Sequence, residues 1–186
     1  MAVLTLACYD VFFDISQDIE LFGVDIQSEK INWCIENLSP WFNFSLCTAI
    51  PHLSFKDEYF DFVFAGSVFT HIEELHTQWF LELTRCTKPG GLIYLTFIDE
   101  RSLEILNSEM KENLNFTRIK NHTQAKRILD LNFDWISIEP YGNQFLSQVF
   151  MTEQYIRMIS RSTAEIVDII PRAFANFQTA YVFKVK

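Results

Sequence analysis

Residues 60–98 read FDFVFAGSVFTHIEELHTQWFLELTRCTKPGGLIYLTFI, and this stretch decides the fold. Phe62–Ala65 is a continuous apolar run, as expected for a strand buried on both faces. Gly66 and Ser67 break it. Thr70 and Glu73 stand at capping-box spacing, and Ile72, Leu75, Trp79 and Leu83 then recur with helical period through to Lys88. Pro89-Gly90-Gly91 predicts the helix stop, and Gly91–Ile98 is a second apolar strand. A strand, a helix and a strand of this kind make one right-handed unit of a parallel sheet. In such sheets ligands bind beyond the carboxyl ends of the strands, here at Ala65-Gly66-Ser67.

The chain outward from this unit has the same grain. Residues 20–26, ELFGVDI, form a short strand ending in Asp25. The segment SEKINWCIENL follows, with Ile31, Cys34, Ile35 and Leu38 on one helical face and Pro40 ending the helix. Residues 42–47 alternate like a strand, and 51–59 read as a loop. Residues 3–8, VLTLAC, fit either a first strand or an early helix. Beyond Ile98 the chain turns polar to about residue 126, with Leu114, Phe116 and Ile119 as its few core candidates, which suggests helix fragments capping a site. A helix over Thr152–Arg161 with Tyr155, Ile156 and Ile159 inward, and strands at Ala164–Pro171 and Ala180–Lys186, complete it. The expected fold is α/β: a three-layer sandwich with a Rossmann-like, mostly parallel sheet and an antiparallel last strand. Residues 1–186 read as one domain with a polar cap insertion near 99–150.

Composition bounds the function. The 186 residues are 49% hydrophobic and include 19 Phe, enough for a bulky core. A net charge of −9 with no basic run argues against a nucleic-acid backbone as partner. No apolar run approaches the roughly 18 residues a membrane span needs. The N-terminus lacks a positive region and carries Asp10 and Asp14, unlike a signal peptide. Cys8, Cys34, Cys47 and Cys86 form no CxxC pair and sit in apolar segments, as reduced thiols of a cytoplasmic protein do. Asn37, Asn43, Asn115 and Asn121 begin N-x-S/T triplets that read as chance matches in that setting. No metal-ligand spacing is present.

Two strand ends carry the chemistry. A carboxylate at Asp25 can accept hydrogen bonds from both hydroxyls of a ribose; its plainer role is to favour the N-terminus of the next helix. Small residues at 65–67 let a ligand approach the backbone, or simply make a tight turn. His71, just past the strand, is the candidate base. Asp99 and Glu100 follow the next strand, where they can meet a substrate or, more ordinarily, start a helix. His76 is expected on the helix surface, and His52 and His122 in loops without partners.

LFGVDIQSEKINWCIENL resembles the second-strand motif of class I S-adenosylmethionine-dependent methyltransferases. The 60–97 run resembles their fourth strand, the helix after it and the PGG turn into the fifth strand, and VDIIPRAFANFQTAYVFKVK their final hairpin. The resemblance covers roughly 20–98 and 150–186. It implies S-adenosylmethionine as cofactor, with Asp25 on the ribose, Ile26 on the adenine, and Ala65, Gly66 and Ser67 bordering the methionine portion. Asp61, at the other end of its strand, would be structural. The implied reaction is methyl transfer, and the acidic charge, which disfavours nucleic acid, points to a small molecule or sugar as acceptor.

One departure stands out. The family's first strand runs into a D-x-G-x-G-x-G loop. The nearest stretch here, VLTLACYD at 3–10, has Thr5 for the acid and Tyr9 for a glycine. Alternatively, residues 3–15 match the helix after that loop, and the first strand lies before Met1. A side chain in place of glycine obstructs close approach. The second functional reading is therefore a methyltransferase-like domain without catalysis, serving as an interaction module, with an open sheet if its first strand is missing. A nicotinamide-dependent enzyme also needs a glycine-rich turn, and the SVFTHI and KPGG runs do not suit one.

Overall fold

In the computed structural model, residues 2–4, 20–138 and 147–186 are described. Seven strands form one sheet in the order β3-β2-β1-β4-β5-β9-β8. They are β1 (Ala2–Leu4), β2 (Leu21–Asp25), β3 (Asn43–Leu46), β4 (Phe60–Ala65), β5 (Thr87–Phe97), β8 (Ala164–Phe174) and β9 (Gln178–Val185). Neighbours from β3 to β5 pair in parallel; β9 pairs antiparallel with both β5 and β8. A short antiparallel pair, β6 (Trp135–Ile138) and β7 (Gln148–Met151), lies outside this sheet. The α/β fold with a mostly parallel sheet is therefore the one the sequence implies.

The central strand is within the chain. β1 pairs with β2 on one side and β4 on the other, through Ala2↔Leu21 and Ala2↔Phe62. This agrees with the alignment of the N-terminus that has a strand near residue 3. With β1 in place the sheet has no missing centre, which removes the open face that the interaction-module reading supposed. Thr5, Cys8 and Tyr9, and the question of the glycine loop, lie outside the described residues.

Alternation along the strands builds two cores. Phe22, Val63, Ala65, Ile93, Leu95, Tyr181 and Phe183 belong to the face covered by α2 (His76–Cys86) and α6 (Glu153–Ser160), through Phe80, Leu83, Ile156 and Ile159. Leu21, Phe44, Phe62 and Phe64 belong to the opposite face, beside α1 (Ser28–Leu38). A further cluster joins α3 (Glu100–Ser108), α4 (Leu114–Asn121) and α5 (Ala125–Leu129) to β6 and β7 through Leu106, Phe116, Ile119, Ile128, Ile136 and Phe150. The 99–126 stretch thus buries more than its polar composition suggests. In α1, Ile31 and Cys34 are buried as expected, but Ile35 is exposed.

Helix α2 begins at His76, not near Thr70. The capping box does not form, because Thr70 is used over long range. Its hydroxyl lies 3.0 Å from Ser67 Oγ, and its carbonyl accepts Val149 N–H at 2.9 Å. Leu75 caps the helix with φ of 62° instead. The helix ends at Cys86, and β5 starts at Thr87, so the proline-glycine run lies inside the strand as an irregularity in its pairing with β4. Gly91 is required there. A Cβ would stand 2.8 Å from Thr87 Cγ2, 2.9 Å from Lys88 O and 3.0 Å from Asp61 O. Two of those atoms are backbone, so little can yield. Gly91→Ala is expected to cost about 2 kcal/mol, roughly 4–8 °C in thermal midpoint by calorimetry. A midpoint within 1 °C of wild type would contradict the close packing.

Candidate functional site

The sheet register sets the site. Val3 pairs with Phe22 on one side and Val63 on the other. Asp25 and Gly66 each lie three residues further, so they stand level at the carboxyl end, one on each side of β1. Two strand spacings separate them, about 10 Å. Asp25 also pairs with Leu46 of β3, and Ala65 pairs with Leu95 of β5.

On β2, the Asp25 carboxylate accepts Gln27 N–H at 2.8 Å, and its carbonyl accepts Cys47 N–H at 3.0 Å. The carboxylate therefore helps to turn the chain into α1, while remaining only partly buried. Ile26, next along, is 52% exposed, and Leu46 on the adjacent strand end is also exposed. Burial, and then the Asp25 charge, push the Cys47 thiol above its usual range, so it stays protonated and unreactive at neutral pH.

On β4, Ala65 and Gly66 are buried and Ser67 is half-buried. A Cβ at Gly66 would lie 3.0 Å from the Phe64 ring and 3.1 Å from that of Phe174, the last residue of β8. Ser67 takes the left-handed conformation, with φ of 57°. Its N–H donates to Thr96 Oγ1 at 2.7 Å. Thr96 donates to Gln178 Oε1 at 2.8 Å, and Gln178 Nε2 donates to Ser67 Oγ at 2.9 Å.

His71 lies in the β4–α2 loop rather than in a helix. Its Nδ1 is 2.8 Å from the Ser147 carbonyl at the start of β7. A carbonyl can only accept, so Nδ1 carries the hydrogen and Nε2 of the neutral ring is the proton-accepting nitrogen. This loop, four residues from Ser67, gives His71 an oriented imidazole on the same side of the sheet.

Other candidates resolve differently. His76 is buried, contrary to its expected place on the surface. Its Nε2 lies 2.6 Å from Ile72 O, and its ring meets Trp135 and Tyr155 edge-on at 4.8 and 6.0 Å. Burial lowers its pKa, so it stays neutral. The covering residues come from β6 and α6, which no local pattern announces. Asp99 is a buried cap of α3, not a substrate group: it accepts from Ser102 N, Thr179 Oγ1 and Tyr181 OH at 3.0, 2.6 and 2.8 Å. Glu100 accepts Glu153 N–H. Asp61 pairs with Lys88 at 2.7 Å, at the sheet's amino end, as its structural role implies. His52 lies 3.8 Å from Glu82, and His122 accepts Gln124 N–H at 3.2 Å, so both have partners.

Among the described residues, no group of three or more His, Cys, Asp or Glu is arranged to hold a metal. No helix among them is long and apolar enough to cross a membrane. Hollows lined by Asp57, Arg85 and Lys186, and by Arg127, Trp135 and Tyr155, lie away from the Asp25–Gly66 row. Sequence reading missed Thr70, Thr96, Phe174 and Gln178. The only local signal was Thr96, a polar residue near the end of the apolar run GLIYLTF.

The methyltransferase-domain family matches residues 8–95. No curated protein matches the sequence. Among solved structures, a protein from Pyrococcus horikoshii OT3 superposes with TM-score 0.64 at 22% identity, over 100% of this chain and 82% of its own. An S-adenosylmethionine-dependent methyltransferase from Methanosarcina mazei gives TM-score 0.65 at 17% identity, over 99% and 92%. The 1,6-didemethyltoxoflavin-N1-methyltransferase of Burkholderia thailandensis, solved with 1,6-didemethyltoxoflavin and S-adenosylhomocysteine, gives 0.64 at 11%, over 100% and 71%. At these identities the superpositions speak for the fold.

Proposed function

We propose that this chain is a class I S-adenosylmethionine-dependent methyltransferase and that it methylates a small molecule or sugar at the carboxyl end of its sheet; the methyltransferase-domain match over residues 8–95 supports the family. The observation that carries this reading is the level pair Asp25 and Gly66, one on each side of β1. Bound S-adenosylmethionine supplies a methyl group on a positively charged sulfur. The residues present fit such a ligand. The half-exposed Asp25 carboxylate suits two ribose hydroxyls, and exposed Ile26 offers an apolar surface for the adenine. Ala65, Gly66 and Ser67 give a backbone edge free of long side chains for the methionine portion.

His71 is the group we assign to the acceptor. With Nδ1 held by Ser147 O, its Nε2 takes the proton from an acceptor hydroxyl or amine. Residues 99–150 act as the cap, supported by the bonds of Ser147 and Val149 to the 66–75 loop. The charge of −9 repels nucleic-acid phosphates, which favours a small acceptor.

Titration with S-adenosylhomocysteine by calorimetry tests the cofactor reading. Wild type is expected to bind. Asp25→Ala is expected to weaken binding by more than about 100-fold, since it removes two hydrogen bonds to a charged acceptor, each of about 1.5–3 kcal/mol. Absence of heat with the wild-type protein, or equal affinity of the variant, would overturn it.

A further inference from the structure

Ser67 has a backbone conformation that a serine does not choose. With φ of 57° it occupies the left-handed region, where a non-glycine residue is strained by about 1–3 kcal/mol and persists only if its surroundings fix it. The surroundings here are a connected network of hydrogen bonds. Thr96 Oγ1 accepts the Ser67 N–H at 2.7 Å, so its own hydrogen is free for Gln178 Oε1 at 2.8 Å. The Gln178 amide is oriented with its oxygen toward Thr96. The Nε2 end donates to Ser67 Oγ at 2.9 Å, and Ser67 Oγ shares a hydrogen bond with Thr70 Oγ1 at 3.0 Å. Thr70 and Thr96 are 1% and 0% exposed and Gln178 is 4% exposed, so water does not substitute for any of the three.

Gln178 is thus the residue that closes the ring around Ser67, and it comes from the opposite end of the chain, 111 residues away. It opens β9 after the β8–β9 turn, and its pairing partner Phe174, the last residue of β8, packs on Gly66. The two strand ends that flank the turn therefore meet two of the three residues of the proposed methionine edge, through a ring at Gly66 and an amide at Ser67.

We infer that Gln178 is a positioning residue for cofactor binding: it holds Ser67 in its left-handed conformation and so fixes the backbone at 65–67 that faces the ligand. This rests on the reading of that edge as cofactor-binding. Gln178 does not touch the ligand; it acts through Ser67 and Thr96. Without it, the Ser67 peptide relaxes toward an unstrained conformation and the edge loses its preformed shape.

The test is a double-mutant cycle read by calorimetric titration with S-adenosylhomocysteine. Gln178→Leu keeps the bulk and removes both hydrogen bonds. It is expected to weaken binding about tenfold in the Ser67 background. In a Ser67→Gly background, where there is no hydroxyl to bond and no strain to hold, the same change is expected to weaken binding less than threefold. Hydrogen exchange at the Ser67 amide, protected in the wild type, is expected to rise in Gln178→Leu before any ligand is added. Equal weakening in both backgrounds, or a Gln178→Leu affinity within twofold of wild type, would overturn the inference, whatever happens to the melting temperature. Wild type that binds no S-adenosylhomocysteine would instead overturn the cofactor reading, and the exchange measurement would still decide whether Gln178 fixes Ser67.

Discussion

Asp99→Ala is expected to destabilise the protein by about 3–5 kcal/mol, on the order of 10 °C in thermal midpoint. The carboxylate is 1% exposed. Its Oδ1 accepts from Ser102 N–H and Oγ, both at 3.0 Å, and from Thr179 Oγ1 at 2.6 Å. Its Oδ2 accepts from Tyr181 OH at 2.8 Å and from Arg101 at 3.0 Å. Burial and the adjacent Asp99 charge push the Tyr181 phenol well above its usual range, so it remains a donor. Alanine at 99 strands the Thr179 and Tyr181 hydroxyls in the core and uncaps α3. Arg101 is less affected, because it also pairs with Glu153 at 2.6 Å. Tyr181→Phe, which removes one donor and strands nothing, should cost only about 1–1.5 kcal/mol. Chemical denaturation of the two variants checks the pair. A loss below 1 kcal/mol for Asp99→Ala would contradict a buried, multiply bonded carboxylate.

Glu82→Ala is expected to cost about 3 kcal/mol at neutral pH. Glu82 is 7% exposed on α2 and accepts Leu53 N–H at 2.5 Å. Arg85 grips both its oxygens, at 2.6 and 2.8 Å, and reaches on to Leu53 O, Phe55 O and Asp57. The pair thus fastens the 51–58 loop to α2, and with it the edge-to-face packing of Phe55 on Phe60 and Phe22. The hydrogen bonds from Arg85 hold the Glu82 carboxyl below its ordinary 4.5, against an opposing effect of burial. A depressed carboxyl contributes stability that is present in full above the unfolded value and lost as pH falls through the folded one. The gap between wild type and Glu82→Ala should therefore be constant from pH 7 to about 5.5 and shrink below about 4.5. Denaturation midpoints across that range measure it. A gap that persists unchanged at pH 3 would mean that packing, not charge, is what the variant loses.

Much of the fold was legible locally. The β4–α2–β5 unit and the β2–α1–β3 unit follow from apolar runs, helical spacing and the breaks at Gly66 and Pro40. Asp25 at the end of β2 was readable because a charge at the edge of an apolar strand is conspicuous. The reading failed where a residue's partners are distant. Thr70 and Glu73 satisfied a local rule for starting a helix, yet Thr70 is bonded to Ser67 and to Val149 in β7, and the helix begins six residues later. His76 looked like a surface residue because nothing in its own helix says that Trp135 and Tyr155 will cover it.

The α/β class, the resemblance to methyltransferases, and the two strand ends at Asp25 and Ala65–Ser67 could be read along the chain. Those are consequences of periodicity and of residue types a few positions apart, which the chain displays before it folds. Long-range pairing set the rest: Asp25 and Gly66 stand level across β1, left-handed Ser67 accepts a hydrogen bond from Gln178, 111 residues away, and Asp99 is a core cap. The physical reason is the same in each case. Strand register and buried hydrogen bonds are settled by pairing between distant segments, where every buried donor must find an acceptor, and a linear pattern does not record which one it finds.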